Sequence, residues 1–146
     1  MVDRDVVTAK LSIIERCLSR IAEVRGPRRG TLLPLDVEDI TSLNLQRAVQ
    51  AAMDLASHVV AAEGYGTPDS TAGAFALLEE HRVLDPELSR RLKKMVGFRN
   101  IAIHEYQTVD PAVLASILDR HLGDLLAFGH RVVDAFGLQP PAPESA

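Results

Sequence analysis

Aromatic residues and cysteines are scarce in this chain of 146 residues. Only 4% of the residues are aromatic and tryptophan is absent. A hydrophobic core therefore has to consist of leucine, valine, isoleucine and alanine, which is typical of helix bundles. The one cysteine, Cys17, excludes an internal disulfide, and its place in a helical apolar pattern indicates a buried thiol rather than a catalytic one.

The chain also lacks long apolar runs and a strong excess of positive charge. No stretch approaches the ~18 apolar residues that cross a bilayer, and the charged N-terminus does not resemble a secretory signal. We therefore expect no membrane association and a cytoplasmic location. The net charge of −4 excludes a molecule that binds nucleic acid over its whole surface, so any such role would need a local basic patch.

Metal and phosphate-loop motifs are missing as well. The histidines show no His-x-x-x-His pair, Cys17 stands alone, and no glycine-rich loop follows a strand. We expect neither a metal site nor a cofactor.

Helical periodicity and helix breakers predict five helices and no strand. Asp85–Pro86 and Asp110–Pro111 each combine an N-cap residue with a proline at the first helical position. The predicted segments are about 5–24, 36–63, a short helix from 70, one from 86, and one from 111 to 136. The fold class is all-α, an antiparallel four-helix bundle with an extra short helix. We expect the domain to span residues 1–137, followed by a disordered proline-rich tail at 138–146.

The second predicted helix carries a polar ridge on an otherwise apolar surface. At about 100° per residue, five polar side chains fall on one line: Arg47, Gln50, Asp54, Ser57 and His58. The ridge is either a solvated strip or the lining of a cleft, in which an Asp54–His58 pair could orient an imidazole.

The segment "FRNIAIHEY" places several polar residues in an apolar helical run. Measured around the helix from Leu88, Arg99 lies at about 20°, inside the apolar stripe, whereas Asn100 and His104 lie at about 120° and 160°. A buried arginine has to be paired or to open onto a polar cavity. Either a carboxylate such as Asp54 pairs with Arg99, or this end of the helix enters a subunit interface where Arg99 and His104 meet.

A basic run precedes this segment. Between positions 88 and 104 there is no acidic residue but a local charge of +5, from the candidate polyanion-binding residues Arg90, Arg91, Lys93 and Lys94 together with Arg99. The run is either a solvated face or the surface that a polyanion meets first.

The pattern Arg, four residues, His, one residue, Tyr in "RNIAIHEY" resembles the motif of the HepT group in the HEPN superfamily. The segments "LQRAVQAAMDLASHVVAAEG", "FALLEEHRVLDPELSRRLKKMVGFRN" and "TVDPAVLASILDRHL" are also similar to successive parts of a HepT-like chain. The resemblance extends from the first predicted helix to about residue 136.

The resemblance implies a helical homodimer in which the two Arg/His motifs face a shared cleft. HepT-like proteins are toxins of toxin–antitoxin modules and are similar to metal-independent endoribonucleases; their MntA-like nucleotidyltransferase antitoxin adds AMP to the motif tyrosine. Carried over to this chain, Arg99 and His104 are catalytic, Asn100 supports the site and Tyr106 is the AMP acceptor.

Histidine suits the proton transfers of RNA cleavage, and arginine suits the charge on the phosphorane. The expected product end is a 2′,3′-cyclic phosphate. Two other functions stay open: a non-catalytic HEPN module that binds RNA or a nucleotide, and a scaffold for a nucleotidyltransferase partner.

Overall fold

The protein folds as a set of packed helices. The structure is a computed structural model and describes residues 1–104 and 111–138. The helices are α1 (Arg4–Arg25), α2 (Pro34–Glu63), α3 (Gly73–Glu80), α4 (Pro86–His104), α5 (Pro111–Ser116) and α6 (Leu122–Ala135), with a 3₁₀ turn at Arg29–Thr31 and a π-helical turn at Ile117–His121. No strand occurs in the described ranges, which confirms the all-α prediction.

Capping fixes the helix ends where the sequence predicts them. The Asp85 carboxylate accepts a hydrogen bond from the Leu88 backbone N–H at 3.2 Å, and Pro86 is the first residue of α4. Pro111 begins α5, and the predicted cap Asp110 lies outside the described residues. Gly64 ends α2 with φ of +67°, and Gly137 follows α6 with φ of +63°. Both glycines adopt the left-handed conformation that terminates helices, which side chains disfavour.

The last predicted helix, from 111 to 136, is not regular. α5 and α6 are joined through the π-helical turn at Ile117–His121. The extra residue in a π turn rotates the faces of the following helix, and hydrophobic spacing alone does not reveal it. In this turn Ile117 is buried, and Asp119 accepts a hydrogen bond from Arg25 of α1 at 3.1 Å. The predicted helical segment is present, and the π turn within it was not predicted.

The core lies between α1, α2, α4 and α6. Ile14, Leu55 and Phe128 are fully buried at its centre. Phe75 of α3 packs edge-to-face on Phe128 with 5.3 Å between ring centroids, which attaches the short helix to the bundle. Cys17 is buried, as predicted. No helix in the described ranges is long and apolar enough to cross a membrane.

Part of the polar ridge of α2 contacts α1 and the N-terminal residues. The Asp54 carboxylate accepts hydrogen bonds from Gln50 Nε2 at 2.7 Å and from Lys10 Nζ at 3.1 Å. His58 Nε2 instead accepts from the Asp3 backbone N–H at 2.9 Å. The proposed Asp54–His58 pair was therefore wrong, because both side chains hold α1 and the N-terminus against α2.

At the C-terminus, the structure describes the chain as far as residue 138. The Leu138 N–H donates to the Val133 carbonyl at 2.9 Å, and its side chain packs against the core. Residues 139–146, which belong to the predicted tail, lie outside the described residues.

Candidate active site on α4

Arg99 lies on the C-terminal half of α4 and is half-buried. Its Nη1 donates to Asn100 Oδ1 at 3.2 Å. Its Nε is shielded from solvent and has no acceptor in the described part of the chain. The alternative in which Asp54 pairs with Arg99 was wrong, since that carboxylate binds Lys10 and Gln50. The half-buried guanidinium thus keeps hydrogen-bonding capacity that an anionic ligand could use.

Asn100 connects Arg99 to another part of the fold. Its Oδ1 accepts from Arg99, and its Nδ2 donates to Thr71 Oγ1 at 2.9 Å. Thr71 lies in the turn that precedes α3. Sequence reasoning did not identify Thr71, because it is 29 residues away from Asn100 and belongs to no motif.

His104 is the last residue of α4, and Tyr106 lies outside the described residues. Around an α-helix, positions 99 and 104 are separated by about 140°, and along its axis by about 7.5 Å. The structure describes the backbone position of His104 but not its side chain. The roles of His104 and Tyr106 therefore stay predictions.

The basic run is partly neutralised by acidic neighbours. Arg90 and Arg91 both contact the Glu87 carboxylate. Lys93 Nζ lies 3.8 Å from Glu79, and Lys94 is exposed. The hydrogen bond from Arg90 holds the pKa of the Glu87 carboxyl below its usual value. The local charge of +5 counted along the sequence therefore overstates the field at this surface.

Arg91 has a second carboxylate partner on α6. Its Nε lies 3.0 Å from Asp124 Oδ2, and His121 Nδ1 lies 3.2 Å from the same oxygen. The Asp124 side chain is only 14% exposed. Arg91 thus helps to join α4 to α6, in contrast to the exposed Lys94.

The basic residues divide between two sides of α4. Arg90, Arg91 and Lys94 border an open groove of about 690 Å³ between α4 and the α5 region. Apolar side chains line the groove: Met95, Phe98, Ile101, Val113 and Ile117. Lys93 lies on the opposite side, where α4 faces α3 and where Asn100 contacts Thr71. Ile101 and Val113 are 44% and 45% exposed, so the groove has an uncovered apolar rim.

Comparison with known proteins shows to which family the chain is related. The family model "Ribonuclease HepT-like" matches residues 13–132. An mRNA nuclease HepT of Shewanella oneidensis is 36% identical over 124 residues, which cover 85% of this chain and 93% of that protein. A tRNA nuclease HepT of Aphanizomenon flos-aquae is 28% identical over 107 residues, which cover 73% of each chain.

The fold of this chain also matches solved structures of related proteins. The tri-AMPylated Shewanella oneidensis HEPN toxin, in complex with an MNT antitoxin, matches with a TM-score of 0.81 and 34% identity, over 89% of this chain and 98% of that chain. A toxin–antitoxin crystal structure with AMP-PNP matches with a TM-score of 0.82 and 33% identity, over the same shares. Family model, sequence relatives and fold all support the resemblance that the motif indicated, and the chain belongs to the HepT-like ribonuclease family.

Proposed function

We propose that this chain is the toxin of a toxin–antitoxin pair and that it cuts RNA without a metal ion, using Arg99 and His104. The observation that carries this proposal is the environment of Arg99. A half-buried arginine that holds a fold together is commonly paired with a carboxylate, whereas within residues 1–104 and 111–138 Arg99 is held by the neutral amide of Asn100. Its Nε is left without an acceptor in the described ranges. The names of two relatives as mRNA and tRNA nucleases support RNA as the substrate.

The chemistry follows from the two side chains. Histidine, with an ordinary pKa of about 6.5, can take the proton from the 2′-OH and return one to the leaving 5′ oxygen. The arginine guanidinium keeps its charge and can bind two oxygens of the phosphorane. Attack of the 2′ oxygen on the adjacent phosphorus breaks the bond to the 5′ oxygen. The products are a 2′,3′-cyclic phosphate and a 5′-hydroxyl.

A homodimer would complete the site. Positions 99 and 104 lie about 140° apart around α4, so the two groups of one protomer start from different faces of the helix. We propose that Arg99 of one protomer works with His104 of the partner subunit in a shared cleft. The uncovered apolar rim at Ile101 and Val113 supports a second copy at this end of α4, since such surface is stabilised when it is buried.

Charge on the neighbouring surface would guide RNA toward this cleft. Arg90, Arg91, Lys93 and Lys94 are the candidates for phosphate contacts. Lys94 is the strongest of them, because it is exposed and has no ion pair in the described part of the chain. The reaction would take place in the cytoplasm, where RNA is available.

We further propose that a nucleotidyltransferase antitoxin neutralises the toxin by adding AMP to Tyr106. The support is the related HEPN toxin that is tri-AMPylated and bound to an MNT antitoxin. AMP on Tyr106, two residues after His104, would bring a phosphate and a base to the end of α4. The added charge and bulk would compete with RNA for Arg99. Replacing Tyr106 by phenylalanine should leave cleavage intact and abolish nucleotide transfer, and continued modification of this variant would contradict the assignment.

Cleavage of RNA in EDTA tests the function directly. The purified protein should produce 2′,3′-cyclic phosphate ends, and Arg99→Ala and His104→Ala should each lower the rate by about 10²-fold or more. Arg47→Ala and His130→Ala are matched controls, because these exposed residues lie on α2 and α6. A strict need for a metal ion would refute the mechanism. RNA binding without cleavage by the wild-type protein would instead indicate the non-catalytic module.

A further inference from the structure

The turn that precedes α3 reaches the proposed active site through one side chain. Thr71 Oγ1 accepts a hydrogen bond from Asn100 Nδ2 at 2.9 Å, and Asn100 Oδ1 accepts from Arg99 Nη1 at 3.2 Å. We propose that Thr71 is a positioning residue for RNA cleavage: through Asn100, it holds the Arg99 guanidinium in the orientation that the reaction needs. This inference rests on the proposed function, because it assigns Thr71 a part in the action of Arg99.

Both ends of the Asn100 side-chain amide form hydrogen bonds, one with Arg99 and the other with Thr71. The side-chain amide of Asn100 has one accepting and one donating end, and rotation by 180° exchanges them. If the amide turned over, its NH₂ group would face Arg99, which has only donors. Because Arg99 only donates, Oδ1 has to face the guanidinium, and Nδ2 is then directed at Thr71. The Thr71 hydroxyl accepts from Nδ2 and so holds the second end of the amide. Thr71 therefore fixes the position of the Asn100 side chain, whereas Arg99 sets its orientation.

The fold makes Thr71 a fixed point. α3 begins two residues later at Gly73, and Phe75 of α3 is anchored in the core against Phe128. Ser89 Oγ of α4 also donates to the Phe75 carbonyl at 3.4 Å, which ties the start of α3 to α4. The turn is closed by a hydrogen bond from the Gly73 backbone N–H to the Ser70 carbonyl at 3.0 Å. Thr71 thus lies in a hydrogen-bonded turn that is attached to the core through α3.

Arg99 needs this support because nothing else in the described ranges holds it by a hydrogen bond. Its Nη1 bonds Asn100, and its Nε has no acceptor there. An arginine side chain has several rotatable bonds, so a guanidinium held at one nitrogen can take several orientations. Small displacements of a group that contacts the reacting phosphate cost large factors in rate. The Thr71–Asn100 connection should therefore affect turnover more than RNA affinity.

Thr71→Val and Thr71→Ser test the proposal, because valine keeps the shape and removes the hydroxyl, whereas serine keeps the hydroxyl. Thr71 is exposed and lies outside the helices, so both variants should fold. We expect Thr71→Val to lower kcat by about 10-fold with KM changed less than about twofold. Thr71→Ser should stay close to the wild-type kcat. Thr71→Val should add no further loss in an Asn100→Ala background, because both changes interrupt the same connection.

Side-chain amide NMR signals of Asn100 provide a readout that does not depend on activity. They should shift in Thr71→Val and return toward the wild-type position in Thr71→Ser. An unchanged kcat in Thr71→Val, an equal loss in Thr71→Ser, or a multiplicative loss in the double variant would each overturn the role of Thr71 while leaving the proposed function intact. A wild-type protein that cuts no RNA would overturn the function itself, and the inference with it.

Discussion

Replacing Arg99 by methionine should stabilise the fold and remove RNA cleavage. Arg99 lies within the apolar stripe of α4, and its buried Nε has no acceptor in the described part of the chain. Methionine has a similar length and a flexible apolar side chain, so it can keep the packing of the arginine methylenes. It also removes the shielded Nε–H, for which the described residues provide no acceptor.

The magnitude follows from two opposing contributions. A buried donor without a partner destabilises the folded state by about 1–3 kcal/mol, and removing the donor removes this destabilisation. Loss of the hydrogen bond between Arg99 and Asn100 costs about 0.5–1.5 kcal/mol. Asn100 is half-buried and keeps its bond to Thr71, so its amide is not left without a partner. We therefore expect the free energy of unfolding to rise by about 1 kcal/mol. In a chain of this size, that corresponds to an increase in Tm of about 3 °C.

Arg91→Met is the matched control on the same helix. Arg91 contacts Glu87 and Asp124, and the Asp124 side chain is only 14% exposed. Removing the arginine would leave that carboxylate with His121 as its neighbour at 3.2 Å. We expect this variant to lose about 2 kcal/mol of stability, because a largely buried charge loses a partner.

Thermal unfolding at one fixed protein concentration, followed by the RNA cleavage assay, measures both variants. The concentration has to be fixed because a dimer gains stability by mass action. The expected pair of results is a higher Tm without cleavage for Arg99→Met and a lower Tm for Arg91→Met. If Arg99→Met lowers Tm as much as Arg91→Met does, the guanidinium of Arg99 is a structural ion-pair partner, and the reasoning fails.

Three further predictions follow from the basic surface, the core and the buried thiol. Lys94→Gln should weaken binding of single-stranded RNA and reduce the slope of log K against log salt by about 0.7, and an unchanged slope would exclude a phosphate contact. Phe128→Ala should lower the free energy of unfolding by about 3–5 kcal/mol in a urea titration, because Phe128 is fully buried and packs on Phe75; a loss below about 1 kcal/mol would contradict this core. Burial raises the pKa of Cys17, so less thiolate exists at a given pH. A thiol reagent at pH 8 should therefore react more slowly with Cys17 in the folded protein than in urea, and equal rates would contradict the burial.

The sequence predicts helices well where local chemistry sets their ends. Asp85 and Pro86 start α4 as predicted, because an N-cap and a first-turn proline act within a few residues. The π turn at Ile117–His121 was not predicted, since apolar spacing does not record one inserted residue.

Partners distant in the chain explain the site features that were missed. Asp54 and His58 are four residues apart, but Asp54 binds Lys10 and His58 binds the Asp3 backbone. Between positions 88 and 104 the sequence contains basic residues and no acidic one. Their acidic partners lie just before this run and on α3 and α6. Thr71 has no motif of its own. Such contacts depend on how the helices pack, which spacing within one helix does not determine.

The proposed sharing of catalytic groups between two protomers can be measured by mixing two inactive variants. Subunits with Arg99→Ala and subunits with His104→Ala would pair at random, and about half of the dimers would then contain one of each. Each mixed dimer keeps one intact arginine and one intact histidine, on different protomers. We expect RNA cleavage in EDTA to recover to about one quarter of the wild-type rate, because half of the dimers would each hold one complete Arg/His pair where the wild-type dimer holds two. A mixture that stays as inactive as its components, with subunit exchange verified by mass spectrometry, would contradict it.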